Sequence, residues 1–149
     1  MTTDTKSQRQ QNLSVLAKAS LATMLEYWQQ INVDATFEFL KKPEVGMAMV
    51  RAQAGGGCEN FNMGEMTMTR CVIRLDSDEI GYGFVAGRSK KKSELIAVID
   101  ACWQKDSLQK IIEEKIIEPL YALQVNRAQK TSENTKTSKV NFFTMVRGE

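Results

Sequence analysis

Met66-Thr67-Met68-Thr69-Arg70-Cys71-Val72-Ile73-Arg74-Leu75-Asp76-Ser77-Asp78-Glu79-Ile80-Gly81-Tyr82-Gly83-Phe84-Val85-Ala86 decides how this chain folds. Two runs rich in β-branched and aromatic side chains flank the polar turn Asp76-Ser77-Asp78-Glu79, which predicts strands over 66–75 and 80–86. So short a connection joins antiparallel neighbours, because a parallel crossover needs a dozen or more residues. Toward the N-terminus, Val45 to Ala54 makes a further strand, separated from the hairpin by the loop Gly55 to Glu65. Ala35 to Leu40, with Phe37 and Phe39 two residues apart, makes another, and Pro43 ends it. The expectation is four antiparallel strands.

On either side the period changes to that of a helix. Leu13, Leu16 and Ala17, then Leu21, Met24, Leu25 and Trp28, predict two consecutive helices with Ser20 placed to cap the second. Beyond the strands, Leu95, Val98, Ile99 and Cys102 beside Trp103 predict a helix from about Lys90 to Lys105 that covers one face of the sheet. Ser107 is placed to cap a further helix through Ile111, Ile112 and Ile116, and Pro119 interrupts that pattern unless it opens a new helix. From Gln124 to Lys139 almost nothing is apolar, whereas five of the ten residues from Val140 to Glu149 are large and apolar. A polar arm ending in an apolar segment is built to dock on a partner. The expected architecture is therefore α+β. A four-stranded antiparallel sheet flanked by N-terminal and C-terminal helices fills residues 1–123, and an extended C-terminal arm with its docking tail fills 124–149.

Composition excludes more than it proposes. The chain has 149 residues, 20 Lys and Arg against 18 Asp and Glu, and a formal charge of +2, which is far from the basic surface of a general nucleic-acid binder. No signal-peptide stretch opens it and no eighteen apolar residues run together, so a cytoplasmic protein without a membrane partner is expected. Cys58, Cys71 and Cys102 are odd in number and lack the C-x-x-C interval of zinc and redox sites, so reduced, structural thiols and no bound metal are expected. There is no histidine. That removes the commonest general base and zinc ligand together, along with every Ser-His-Asp and Cys-His arrangement.

Few residue groups carry chemistry. Gly55-Gly56-Gly57 is followed by no Gly-Lys-Ser/Thr and opens no helix, so it suits a hairpin loop better than a phosphate cradle. Gly87-Arg88-Ser89-Lys90-Lys91-Lys92 lies where the last strand meets a helix. Lysines in a first turn oppose the positive end of the helix dipole, a conflict that a bound anion held by Arg88 and backbone donors would relieve. The competing reading is a solvated basic face capped by Ser89. Glu44, Glu65, Glu94 and Asp100 fall on different elements, so no spacing pairs two of them as acid and base. Ion pairing with Arg51, Arg70 or Arg88 suits them better. The methionines at 47, 49, 63, 66 and 68 suit core filling or adaptable contact surface.

Across most of its length the sequence resembles the PhnG subunit family of the bacterial carbon-phosphorus lyase system. The resemblance rests on Arg9-Gln10, Ser14-Val15-Leu16-Ala17, Glu44, Gly46, Arg51, and the glycine loop with Phe61, Gly64 and Glu65. It continues through Thr69-Arg70, Gly81-Tyr82, Gly87-Arg88, Glu94, Ala97 and Asp100-Ala101. It closes on Phe142-Phe143-Thr144-Met145-Val146-Arg147-Gly148, its most specific run.

The resemblance implies a subunit of a cytoplasmic hetero-oligomer with PhnH-, PhnI-, PhnJ- and PhnL-like partners. The PhnG, PhnH, PhnI and PhnL proteins together serve transfer of an organophosphonate onto the ribose of ATP, releasing adenine. ATP and the phosphonate are substrates of the complex, and no cofactor is implied for this chain. The catalytic centre is placed on the PhnI-like subunit, so no catalytic residue is expected here. Val140, Phe142, Phe143, Met145, Val146 and Arg147 are the expected partner-binding residues, and Arg70, Arg88 and Ser89 the expected anion or cleft contacts. A pure scaffold of the same complex is the alternative. The chain departs from the family in having Ser89 where an acidic residue commonly follows Gly-Arg, which favours a capping role for Ser89 over an anion site.

Overall fold

The computed structural model describes residues 2–54 and 59–137, so Gly55, Gly56, Gly57, Cys58 and everything from residue 138 onward lie outside the described residues. The expected four-stranded sheet is corrected to three strands: β1 Phe37–Gln53, β2 Asn60–Leu75 and β3 Ile80–Ala86, antiparallel and in that spatial order. The two segments predicted on either side of Pro43 are one strand that runs through it. Pro43 is tolerated because β1 lies at the edge of the sheet, where a residue without an N–H need not break a ladder. Register shifts between Phe39 and Lys41, and again between Lys41 and Glu44, absorb the irregularity as bulges. The β2–β3 turn forms as predicted, with Asp78 in the left-handed region at φ 70° and its N–H donating to the Leu75 carbonyl at 2.9 Å.

Helices cover one face of the sheet. Helix α3, Lys90–Trp103, lies across all three strands and buries Ser93, Ile96, Ala97, Ile99, Ala101 and Cys102. Its approach to β3 is so close that only glycine fits beneath it. A Cβ on Gly83 would stand 1.8 Å from the Ser93 carbonyl oxygen, and one on Gly81 would stand 1.9 Å from that of Ala97. Thr69, Cys71, Ile73, Leu75 and Val85 alternate inward from β2 and β3 to meet the helix. On the other face Arg70, Arg74, Tyr82 and Phe84 are exposed.

Two N-terminal helices, α1 Thr2–Lys18 and α2 Leu21–Ile31, complete the layer. The buried residues of α1 are Asn12, Val15 and Leu16, with Ala19 just past its end, so the stripe is turned slightly from the one expected through Leu13 and Ala17. Ser20 and Ser89 occupy N-cap positions, yet neither side chain makes a capping hydrogen bond. Lys105, not Ser107, precedes α4, Asp106–Ile112. A π-helical turn, Glu113–Ile117, then leads into α5, Glu118–Thr137. Pro119 therefore falls just past the π-helical turn in a continuous helical run and does not interrupt it. Ile112, Ile116, Ile117 and Leu120 anchor this region in the core, whereas every α5 residue from Asn126 to Lys136 is exposed.

Candidate functional site

The exposed face of the sheet places Arg70 between its cross-strand neighbours Glu44 and Phe84. Its Nε donates to Glu44 Oε1 at 2.5 Å, and Lys41 reaches the same oxygen at 3.0 Å. Hydrogen bonds from Lys41 and Arg70 hold the Glu44 carboxyl below its ordinary pKa. Arg74 is tied in the same way to Glu38. Tyr82 and Phe84 stack beside these pairs, with ring centroids 6.4 Å apart and planes 7° from parallel. The pairing of Glu44 with Arg70 is one of those expected from sequence, and it commits the Arg70 guanidinium to a carboxylate of its own chain.

Arg88 stands exposed in the bend between β3 and α3. Arg70 lies instead on the exposed face of the sheet, opposite Phe84. Gly87, at φ 92°, fixes the bend, because its N–H donates to the Thr67 carbonyl at 2.8 Å and its carbonyl accepts from Thr69 Oγ1 at 2.6 Å. The lysine run is not uniformly solvated. Lys92 Nζ donates to the Ala17 carbonyl at 2.7 Å, closing the C-terminus of α1, and burial lowers its pKa. The six expected tail residues, Val140, Phe142, Phe143, Met145, Val146 and Arg147, lie outside the described residues.

Sequence reading missed the ionic clasp that joins α1 to the sheet. Arg9 Nη2 and Nε donate to the Asp100 carboxylate at 2.7 and 2.9 Å, and Asp100 is only 3% exposed. Donating these hydrogen bonds to the Asp100 carboxylate raises the Arg9 pKa further. Arg9 also donates to the Ile80 carbonyl, while the Tyr82 N–H donates to Asp100 at 2.9 Å. No local signal could have found this pair, because its members are 91 residues apart. Two clefts were also invisible. One, of about 510 Å³ between α2 and α3, is floored by Leu21, Trp28, Phe37 and Leu95. The other, of about 460 Å³, lies between α1 and the start of α5.

Among the described residues no group of three His, Cys, Asp or Glu side chains gathers as a metal site, and no helix is long and apolar enough to cross a membrane. Cys71 and Cys102 are buried, and burial pushes both thiols up to about 11. The arrangement is that of an α+β protein whose charged groups bind its own elements together while an apolar, charge-paired sheet face is left open. The chain matches the family described as "Phosphonate metabolism protein PhnG" over residues 7–148, and it belongs to that family. It is 34% identical over 143 residues, 96% of this chain and 91% of the relative, to the alpha-D-ribose 1-methylphosphonate 5-triphosphate synthase subunit PhnG of Rhizobium meliloti (strain 1021).

Proposed function

We propose that the chain is a supporting subunit of a multi-subunit alpha-D-ribose 1-methylphosphonate 5-triphosphate synthase. In this reading it assists transfer of an organophosphonate onto the ribose C1 of ATP with release of adenine, in the cytoplasm, alongside PhnH-, PhnI-, PhnJ- and PhnL-like subunits. The observation that carries the reading is the similarity to the Rhizobium meliloti synthase subunit along 96% of the chain. The absence of histidine supports a supporting role over a catalytic one. Residues 124–149 act as a polar arm and partner-docking tail, with Val140, Phe142, Phe143, Met145, Val146 and Arg147 as the contacts.

Arg88, with the Ser89 hydroxyl beside it, is the contact for a phosphate-bearing ligand at an inter-subunit cleft. Its exposed guanidinium has more freedom for that role than that of Arg70, which Glu44 holds. A pure scaffold is the second reading, and Met47 and Met63, 73% and 65% exposed on the β1–β2 hairpin, favour it, since such side chains call for cover.

Reconstitution separates the two readings. Adenine release from ATP and methylphosphonate is measured in assemblies with wild-type chain, without it, and with Arg88→Ala. One charge-assisted hydrogen bond is worth about 1.5 to 3 kcal/mol, so Arg88→Ala should weaken substrate binding roughly ten- to a hundredfold while the assembly stays intact. Unchanged affinity for substrate would leave the scaffold reading standing. Full turnover without the chain would remove both.

A further inference from the structure

Strand β1 forms one edge of the sheet, and past the last β2–β3 pair, Met68 with Ala86, the sheet narrows to β1 and β2 alone. Along that stretch Val45 to Val50 are consecutive edge residues without a charge or a proline. An unguarded edge is a template for another strand. The side chains sort by face. Thr69 is buried beneath the helices and Val45 lies opposite it, so Val45, Met47, Met49 and Arg51 share the helix side of the sheet by alternation. Val45, Met47 and Met49 are nonetheless exposed there. Gly46, Ala48 and Val50 share the outer side, and a Cβ added at Gly46 would meet nothing within 4 Å.

We propose that this edge pairs antiparallel with the same edge of a second copy of the chain, about a twofold axis through Ala48, joining the two three-stranded sheets into one. The pairing goes beyond the proposed function and does not depend on it. An axis normal to the sheet keeps every side chain on its own face, so the residues that meet are those whose numbers average to 48. Ala48 then meets Ala48 of the second copy, Val50 fills the open space beside Gly46, and Met47 meets Met49, gathering the adaptable methionines of both copies at the axis.

Charge agrees with that register. The Glu44 end of each edge meets the Arg51 end of the other, with Glu44 opposite Ala52 and Arg51 opposite Val45, so no like charges are opposed. Centring on Met47 would draw Pro43 into the ladder, and centring on Met49 would leave Gly46 facing Ala52. A single strand edge buries less than the roughly 1,200 Å² of a standard interface, so the dissociation constant is on the order of tens of micromolar and dilute chain is monomeric.

The test is sedimentation velocity of the purified full-length chain across the micromolar range, with amide exchange read at both ends of it. A monomer–dimer equilibrium is expected, and protection over residues 45–50 should grow with concentration. Ala48→Lys and Ala48→Glu should each raise the dissociation constant about tenfold or more, with circular dichroism unchanged, because each sets like charges face to face at the axis. An equimolar mixture of the two variants should restore association, since the charges then oppose in sign. A chain that stays monomeric throughout would overturn the proposal. So would self-association that ignores both substitutions, which places the contact elsewhere, or a mixture no better than its components, which excludes the register. Edge protection that arises only when other subunits are added, the chain itself remaining monomeric, would show a different chain's strand on β1 and overturn the second copy as its occupant.

Discussion

Gly83 shows how much one residue decides in this fold. Its missing side chain lets α3 settle on β3, and a methyl group there would meet the Ser93 carbonyl at 1.8 Å, which is backbone and cannot swing away. Gly83→Ala should therefore cost about 3 kcal/mol or more, at or beyond the upper end for overpacking, read as a lower midpoint in urea. The same substitution at Gly46, where an added Cβ meets nothing within 4 Å, should leave the midpoint nearly unchanged. The buried thiols give a pH test at the same scale. Burial disfavours the thiolate and pushes Cys71 and Cys102 up to about 11 in the folded chain, from an ordinary value of about 9.0. A folded pKa above the unfolded one means that the stabilisation is whole below pH 9 and is lost as pH rises through 11. In a Cys58→Ser variant, Ellman's reagent at pH 8 should find no reactive thiol in the native protein and two after denaturation. Urea midpoints should fall between pH 9 and 11. Rapid native labelling would contradict the buried placement.

At the scale of elements, the two edges of the sheet are managed differently. The β3 edge is closed by side chains: Arg9 and Gln104 donate to the Ile80 carbonyl, and Asp100 accepts from the Tyr82 N–H. Near the helices the β1 edge carries Lys41, Lys42 and Pro43, residues that discourage further strand pairing, but from Val45 to Val50 it carries none. Val45 faces Thr69, and Met47 and Met49 continue along that side past the end of β3, where they are 73% and 54% exposed. A hairpin with neither a third strand nor a helix is weakly stable on its own. Hydrogen exchange of the isolated protein should therefore be much faster for residues 47–53 and 60–66 than for 69–74. Protection should rise on the hairpin once the assembly forms, and equal protection throughout the free chain would refute the contrast. Strand type and turn position were legible in the sequence because alternation and the Asp-Ser-Asp-Glu turn are local signals. The number of strands was not, because whether Pro43 breaks a strand depends on its being at an edge, which no local window reveals. The same limit hid the π-helical turn before Pro119, the 91-residue clasp of Arg9 to Asp100, and the burial of Asn12. That last residue did carry a signal, a polar residue on the apolar face of α1. Of the site residues, the Glu44–Arg70 pair was readable as ion pairing, but only cross-strand register could show which charges meet.

At the scale of the whole molecule, helices close one side of the sheet and leave the hairpin, the outer face and α5 unfinished. Helix α5 has 20 residues, about 30 Å at helical rise, and only its first turns touch the core. A helix exposed from Asn126 to Lys136 gains little from its own domain, and in the proposed reading the run that follows it docks on another subunit. Burying Val140, Phe142, Phe143, Met145 and Val146 would gain about 8 to 15 kcal/mol at 1.5 to 3 each, while ordering nine backbone residues costs about 9 to 18. Terms so nearly balanced mean that docking needs a preformed groove and added hydrogen bonds, from Asn141, Arg147 or the backbone. A partner supplies both more readily than the chain's own half-open groove between α2 and α3. Deleting residues 140–149 should therefore leave the melting temperature of the isolated chain almost unchanged and abolish co-purification with the PhnI-like subunit. Charge reversal at Arg147 alone should weaken that association without affecting the fold. A truncated chain that melts several degrees lower yet still assembles would show that the segment completes its own domain, and that the hairpin or the open sheet face is what the neighbouring subunit holds.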